Sequence, residues 1–144
     1  MRIRPINIIE IITALLFITA HFLKGELPYM GLASVLGGMT LCALYFYLGM
    51  YTLKSLEIKT IYLIIYGLVF GTAIIGMIFS FQIWPYGNFF MLLGITLLLL
   101  LALIRAAAVY LFNKPQILLY NRAIIVRYIT IFIFSIYAFL TYKF

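Results

Sequence analysis

Five long apolar runs divide this chain, at residues 6–23, 29–53, 60–84, 86–112 and 123–142. Each approaches or exceeds the roughly 20 residues that an α-helix needs to cross about 30 Å of hydrocarbon. The runs do not alternate apolar with polar residues and are about twice as long as a barrel strand, so membrane β-structure is excluded. Only 9% of the 144 residues are charged, against about a quarter in an ordinary soluble domain. Such a chain cannot cover a water-facing surface, and lipid must be the solvent for most of it. The reading is an all-α fold: one polytopic membrane helical bundle over residues 1–144 with five transmembrane helices. Met1 to Leu23 imitates a signal peptide, with basic residues ahead of an apolar stretch. Glu10 interrupts that stretch and no small-x-small site precedes Lys24, so the segment reads as a retained first helix.

The basic residues orient the bundle. Arg2, Arg4, Lys54, Lys59, Lys114 and Arg122 fall on one side of five crossings, and Lys24 and Lys143 on the other. The positive-inside rule then puts the amino terminus in the cytoplasm and the carboxyl terminus outside. The formal net charge of +7 reads as topology and as contact with anionic headgroups on the cytoplasmic side. Nucleic acid is not an expected partner.

Two matching phrases suggest a repeat. Pro28-Tyr29 is followed by Gly37, and Pro85-Tyr86 by Gly94, each glycine nine residues after its proline. Each phrase follows an apolar run ending in an aromatic pattern, Phe17 to Phe22 and Phe79 to Trp84. The chain then reads as hairpin one (residues 6–53), hairpin two (60–112) and a fifth helix within 117–142. Both hairpins enter from the same side, so they are parallel repeats and not inverted ones. Each proline is expected in the first turn of its helix, where no intrahelical donor is needed. Tyr29, Tyr86 and Trp84 are expected at headgroup level.

The second phrase, Phe79-Ser80-Phe81-Gln82-Ile83-Trp84-Pro85-Tyr86-Gly87 running on to Met91-Leu92-Leu93-Gly94, resembles the membrane hairpin of GldL-type proteins. These are inner-membrane subunits of the gliding-motility and type IX secretion motor. Phe17 and His21-Phe22 fall on the corresponding positions of the first copy. The resemblance covers about 30 residues per copy and implies a multi-pass protein of the bacterial inner membrane. The motor family carries a lysine in the first helix and a glutamate in the second. Here Ile18 and Ser80 stand at the lysine positions, and neither second helix holds a carboxylate. The resemblance therefore extends to the hairpins and not to the ion-driven machinery.

Charged groups inside a membrane are the default functional candidates, because each costs at least about 2.5–3.5 kcal/mol at mid-bilayer. Glu10 and Arg127 lie about one turn into the first and fifth segments, and Arg105 lies 19 residues past Tyr86. All three reach one layer near the cytoplasmic boundary, with Arg122 at its edge. Glu10 is expected to pair with Arg105 or Arg127. The layer reads either as a charge match that fixes helix register or as a headgroup or anionic-ligand pocket. His21, Gln82, Trp84 and Asn88 form an outer polar layer, in which His21 is expected to donate to a neighbouring carbonyl. Ser34, Gly38 and Cys42 recur every fourth residue, and Gly67-x-x-x-Gly71 sits on the next run. Such spacing marks close helix packing.

There is one histidine, one cysteine and no aspartate, so no metal site of three or four ligands can be assembled. No cofactor is expected. Paired carboxylates and nucleophile–base pairs are lacking, so catalysis is not expected. The leading expectation is a non-catalytic membrane scaffold or interaction subunit in a homo-oligomer or larger membrane complex. The alternatives are a small channel or transporter subunit, or a membrane protein that binds lipid or an apolar small molecule.

Overall fold

The computed structural model describes residues 5–53, 60–112 and 122–141. They form α1 (Pro5–Leu23), α2 (Met30–Leu53), α3 (Thr60–Phe81), α4 (Gly87–Phe112) and α5 (Arg122–Thr141), with no strand among the described residues. Each of the five apolar runs contains one helix. Three stretches, Ile61–Phe81, Gly87–Ala107 and Ile124–Thr141, are long and apolar enough to cross a membrane. The described apolar stretches of α1 and α2, Asn7–Leu23 and Met30–Phe46, are shorter.

α3 is the central helix. It packs against α2, α4 and α5, while α1 packs on α2 and α5 also touches α4. Phe70, Ala73, Ile74, Met91, Leu98, Ile124 and Ala138 lose all their exposure at these seams. Small residues allow the close approach, as expected where apolar solvent removes the usual drive for burial. A Cβ on Gly67 would lie 2.5 Å from the Tyr45 carbonyl oxygen, so only glycine fits where α3 crosses α2. The outward faces of α1, α4 and α5 stay apolar and exposed, with Ile12, Leu15, Leu99, Leu103, Ile133 and Leu140 among their side chains.

The two Pro-Tyr phrases fold alike. Met30 N–H donates to the Leu27 carbonyl and Gly87 N–H to the Trp84 carbonyl. Tyr29 and Tyr86 have φ of 69° and 65°. Proline second and positive φ third is the signature of a type II turn, in a position that glycine or asparagine usually fills. The tyrosine carbonyls then accept the first helical bonds, from Ala33 and Phe90. This corrects the expected place of proline: Pro28 and Pro85 stand two residues ahead of their helices, and the tyrosine caps the helix. The glycines of the two phrases are also equivalent in role. A Cβ on Gly37 would meet the Phe17 backbone at 3.2 Å, and one on Gly94 the Ala73 Cα at 2.8 Å, in each case the first helix of the same hairpin.

The ends of the first helices differ. α3 ends at Phe81, three residues before Trp84, because Ile83 takes φ of 56°. Trp84 N–H bonds back to the Phe79 carbonyl and Ile83 N–H to that of Ser80, the two reciprocal bonds of a Schellman cap. A β-branched residue is rare in that conformation. In the longer first turn, Glu26 and Leu27 N–H groups both donate to the Leu23 carbonyl.

Candidate functional site

Glu10 is the sixth residue of α1 and Arg127 the sixth of α5. Their side chains meet in a two-pronged pair: Arg127 Nε donates to Glu10 Oε1 at 2.6 Å and Nη2 to Oε2 at 2.5 Å. The Tyr45 hydroxyl of α2 adds a third donation to Oε1 at 2.6 Å. Glu10 and Tyr45 are buried. A carboxylate desolvated in this way requires both an opposite charge and hydrogen bonds, since an unpaired buried charge is far costlier than a paired one. The planar guanidinium fork meets the carboxylate edge with matched geometry. The expected partner choice thus resolves to Arg127, with Tyr45 added.

α1 and α5 run in the same direction and also meet near their far ends. There His21 stacks on Phe81 at 3.7 Å, and Tyr137 lies 6.2 Å from His21 and 5.8 Å from Phe22, ring centre to ring centre. Between the two ends lies a cavity of about 540 Å³. Its walls are Ile11, Ala14, Phe17 and Ile18 of α1, Leu41 of α2, Ile74 and Met77 of α3, and Val126, Ile131 and Phe134 of α5. Glu10, Tyr45, Arg127, Asn7 and Thr130 line it as well. The slot is therefore apolar along most of its length and polar at one end. Eleven residues separate Glu10 from His21, which gives about 16 Å of helix.

Arg105 does not reach Glu10. It lines a second cavity, of about 290 Å³, with Tyr66, Leu101, Ala102, Ala106, Tyr110 and Tyr128. Successive residues on a helix point about 100° apart, so the neighbours Arg127 and Tyr128 serve different cavities on two flanks of α5. The Tyr128 hydroxyl donates to the Leu98 carbonyl at 2.9 Å. The Tyr66 hydroxyl is buried without a hydrogen-bond partner. Arg122 opens α5, but its side chain lies outside the described residues, as do Arg2, Arg4, Lys54, Lys59 and Lys114.

The expected outer polar layer is assembled mainly through rings. His21 makes its stacking contact with Phe81, and its Nδ1 has no hydrogen-bond partner, in place of the donation to a carbonyl that was expected. Stacking on the Phe81 ring sets the orientation of the imidazole instead. Gln82 donates to the Gly31 carbonyl at 3.3 Å, and Lys24 donates to the Phe81 carbonyl at the end of α3. Trp84 stands edge-on to Phe79 at 5.2 Å. Asn88 is half-buried at the second position of α4.

The small residues work inside the chain. Gly38 faces Phe17 and Ile78, Gly71 faces the Phe46 ring, and the Cys42 thiol donates to the Gly71 carbonyl at 3.6 Å. Ser34 is buried on the same helix with its hydroxyl unpartnered. Among the described residues no group of three or more histidine, cysteine or acidic side chains could hold a metal ion.

Comparison with family profiles, with curated proteins and with solved structures returned no match. The likeness to GldL-type hairpins rests on the hairpin residues alone. Three tyrosines at the charged layer, Tyr45, Tyr66 and Tyr128, were not singled out by the sequence reading. Counting depth along each helix would have found them. Tyr45 lies 16 residues past Tyr29, about 24 Å down α2 at 1.5 Å per residue, and Tyr66 and Tyr128 are each seventh in their helices.

Proposed function

We propose that this chain is a non-catalytic, multi-pass membrane protein that holds a single-chain amphiphile in the slot between α1 and α5. The observation that carries this reading is the 540 Å³ cavity, apolar along its walls and ended by the Glu10–Arg127–Tyr45 cluster. Its volume falls in the range of sites that hold small ligands, roughly 300–1,000 Å³. Its lining on α1 runs from Asn7 to Ile18, about 16 Å of helix, close to half of the roughly 30 Å hydrocarbon core, the depth of one leaflet's chains. An alkyl chain suits the walls, and a neutral or zwitterionic head suits an end where charge is already balanced. In this reading the chain crosses a bacterial inner membrane five times with its amino terminus in the cytoplasm, and its basic side faces anionic headgroups.

The test is native mass spectrometry of the protein released from mild detergent. Wild type should retain a bound amphiphile, and Ala14→Phe, which fills the slot from α1, should lose it while staying folded. Equal retention by both proteins, or no retention by wild type, would reject the reading.

The wide apolar face of α4, with Phe89, Leu92, Leu99, Leu100 and Leu103 exposed, supports a second reading. On it the protein is a scaffold subunit packed in a homo-oligomer or larger membrane complex. Crosslinking in native membranes followed by detergent sizing separates the two, since only the second requires a discrete multimer.

A further inference from the structure

Five polar side chains line the slot, and three of them already bind one another. Glu10 takes two donations from Arg127 and one from the Tyr45 hydroxyl. The other two are Asn7 of α1 and Thr130 of α5. Thr130 donates its hydroxyl proton to the Val126 carbonyl at 2.9 Å, within its own helix, so it walls the slot without offering a proton. Asn7 is half-buried, three residues before Glu10 and nearer the start of α1. Residues three and four apart share a helix face, so Asn7 continues the row of Glu10, Ala14 and Ile18 along the slot. Its carboxamide carries an acceptor oxygen and two donor protons side by side.

These groups discriminate among heads. A carboxylate head would come to rest beside Glu10 and an ammonium beside Arg127, and like charges repel in a desolvated site. A zwitterion brings two charges that must both leave water, where the pair across α1 and α5 is already neutral. An uncharged head avoids each of these costs. The carboxamide can hold such a head with two bonds, one hydroxyl donating to Asn7 Oδ1 and its neighbour accepting from Nδ2. Resting on the reading that the slot holds a single-chain amphiphile, we propose that Asn7 selects an uncharged polyol head, the chemistry of a monoacylglycerol. The hydroxyls stay at the start of α1, and the acyl chain runs deeper along it, past Ala14 toward Phe17 and Ile18. A few polar groups at one end of an apolar cavity are the usual means by which a ligand site fixes orientation and specificity.

The experiment uses the full chain in phosphatidylcholine nanodiscs, which removes detergent as a competitor. Monoolein, oleic acid, oleylamine and oleoyl lysophosphatidylcholine are offered together at equal concentration. All four carry the same unsaturated chain, so retention reports the head alone, and bound ligand is read by native mass spectrometry. Wild type should retain monoolein about ten-fold more than any of the other three, the size of two neutral hydrogen bonds. Asn7→Leu should lose that preference, and Thr130→Val should stay within about two-fold of wild type. The panel on wild type needs no variant, so it decides the matter even where Asn7→Leu fails to fold. The head assignment is overturned if another head is retained as well as monoolein, or if folded Asn7→Leu keeps the preference. It is equally overturned if Thr130→Val loses as much as Asn7→Leu, and the slot reading survives all three results. Retention of none of the four by wild type, or equal retention by Ala14→Phe, overturns the slot reading as well.

Discussion

Tyr45 and Tyr66 are both buried and each lines a cavity with an arginine, yet their hydroxyls are placed in opposite ways. Arg127 spends two nitrogens on Glu10, and Tyr45 spends its hydroxyl on the same carboxylate. That cluster is neutral and closed, and it ties α1, α2 and α5 together. Around Arg105 the tyrosine hydroxyls point to different ends: Tyr128 holds the Leu98 carbonyl and Tyr66 holds nothing. The two tyrosines thus differ in role: Tyr45 ties a carboxylate into the packing, and the Tyr66 hydroxyl has no hydrogen-bond partner. The closed cluster is a clasp.

The largest expected effect comes from opening the clasp. Arg127→Met leaves Glu10 buried beside a hydroxyl alone and should cost about 3–5 kcal/mol in detergent unfolding, as expected when one partner of a buried pair is removed. Next in size is Tyr45→Phe, which removes a donor to a charged acceptor and should cost about 1.5–3 kcal/mol. The double replacement Glu10→Met with Arg127→Met should recover most of the single-variant loss, since apolar residues of similar volume often substitute for a buried pair with little net change. A double variant as unstable as Arg127→Met would mean that the arginine stem, and not the charge pair, carries the stability. The smallest expected change belongs to Tyr66→Phe, which should be neutral or more stable by up to about 1 kcal/mol, because an unsatisfied buried hydroxyl is removed.

Much of this arrangement was legible in the residues. Five helices follow from run length, and depth counting placed Glu10 and Arg127 in one layer because both lie near the start of their helices. The equivalence of the Pro-Tyr phrases was also legible, since proline and a glycine at fixed spacing are local signals. The positive φ of Tyr29, Tyr86 and Ile83 was not, because nothing in a tyrosine or isoleucine announces a conformation that glycine normally takes. The choice of Arg127 over Arg105 depends on α5 lying alongside α1, which is a matter of tertiary packing. The slot is hidden for the same reason: it exists because α1 and α5 meet near their two ends and leave space between them. Tyr45 and Tyr66 were lost among 12 tyrosines, most of which could be read as interface anchors.

The contrast between the clasp and the unpaired hydroxyl is tested most directly by thermal unfolding of Tyr45→Phe and Tyr66→Phe against wild type in mild detergent. Tyr45→Phe should unfold at lower temperature, because it loses a hydrogen bond to a buried carboxylate. Tyr66→Phe should match or exceed wild type, because it loses none. A similar loss of stability in both variants would contradict the account.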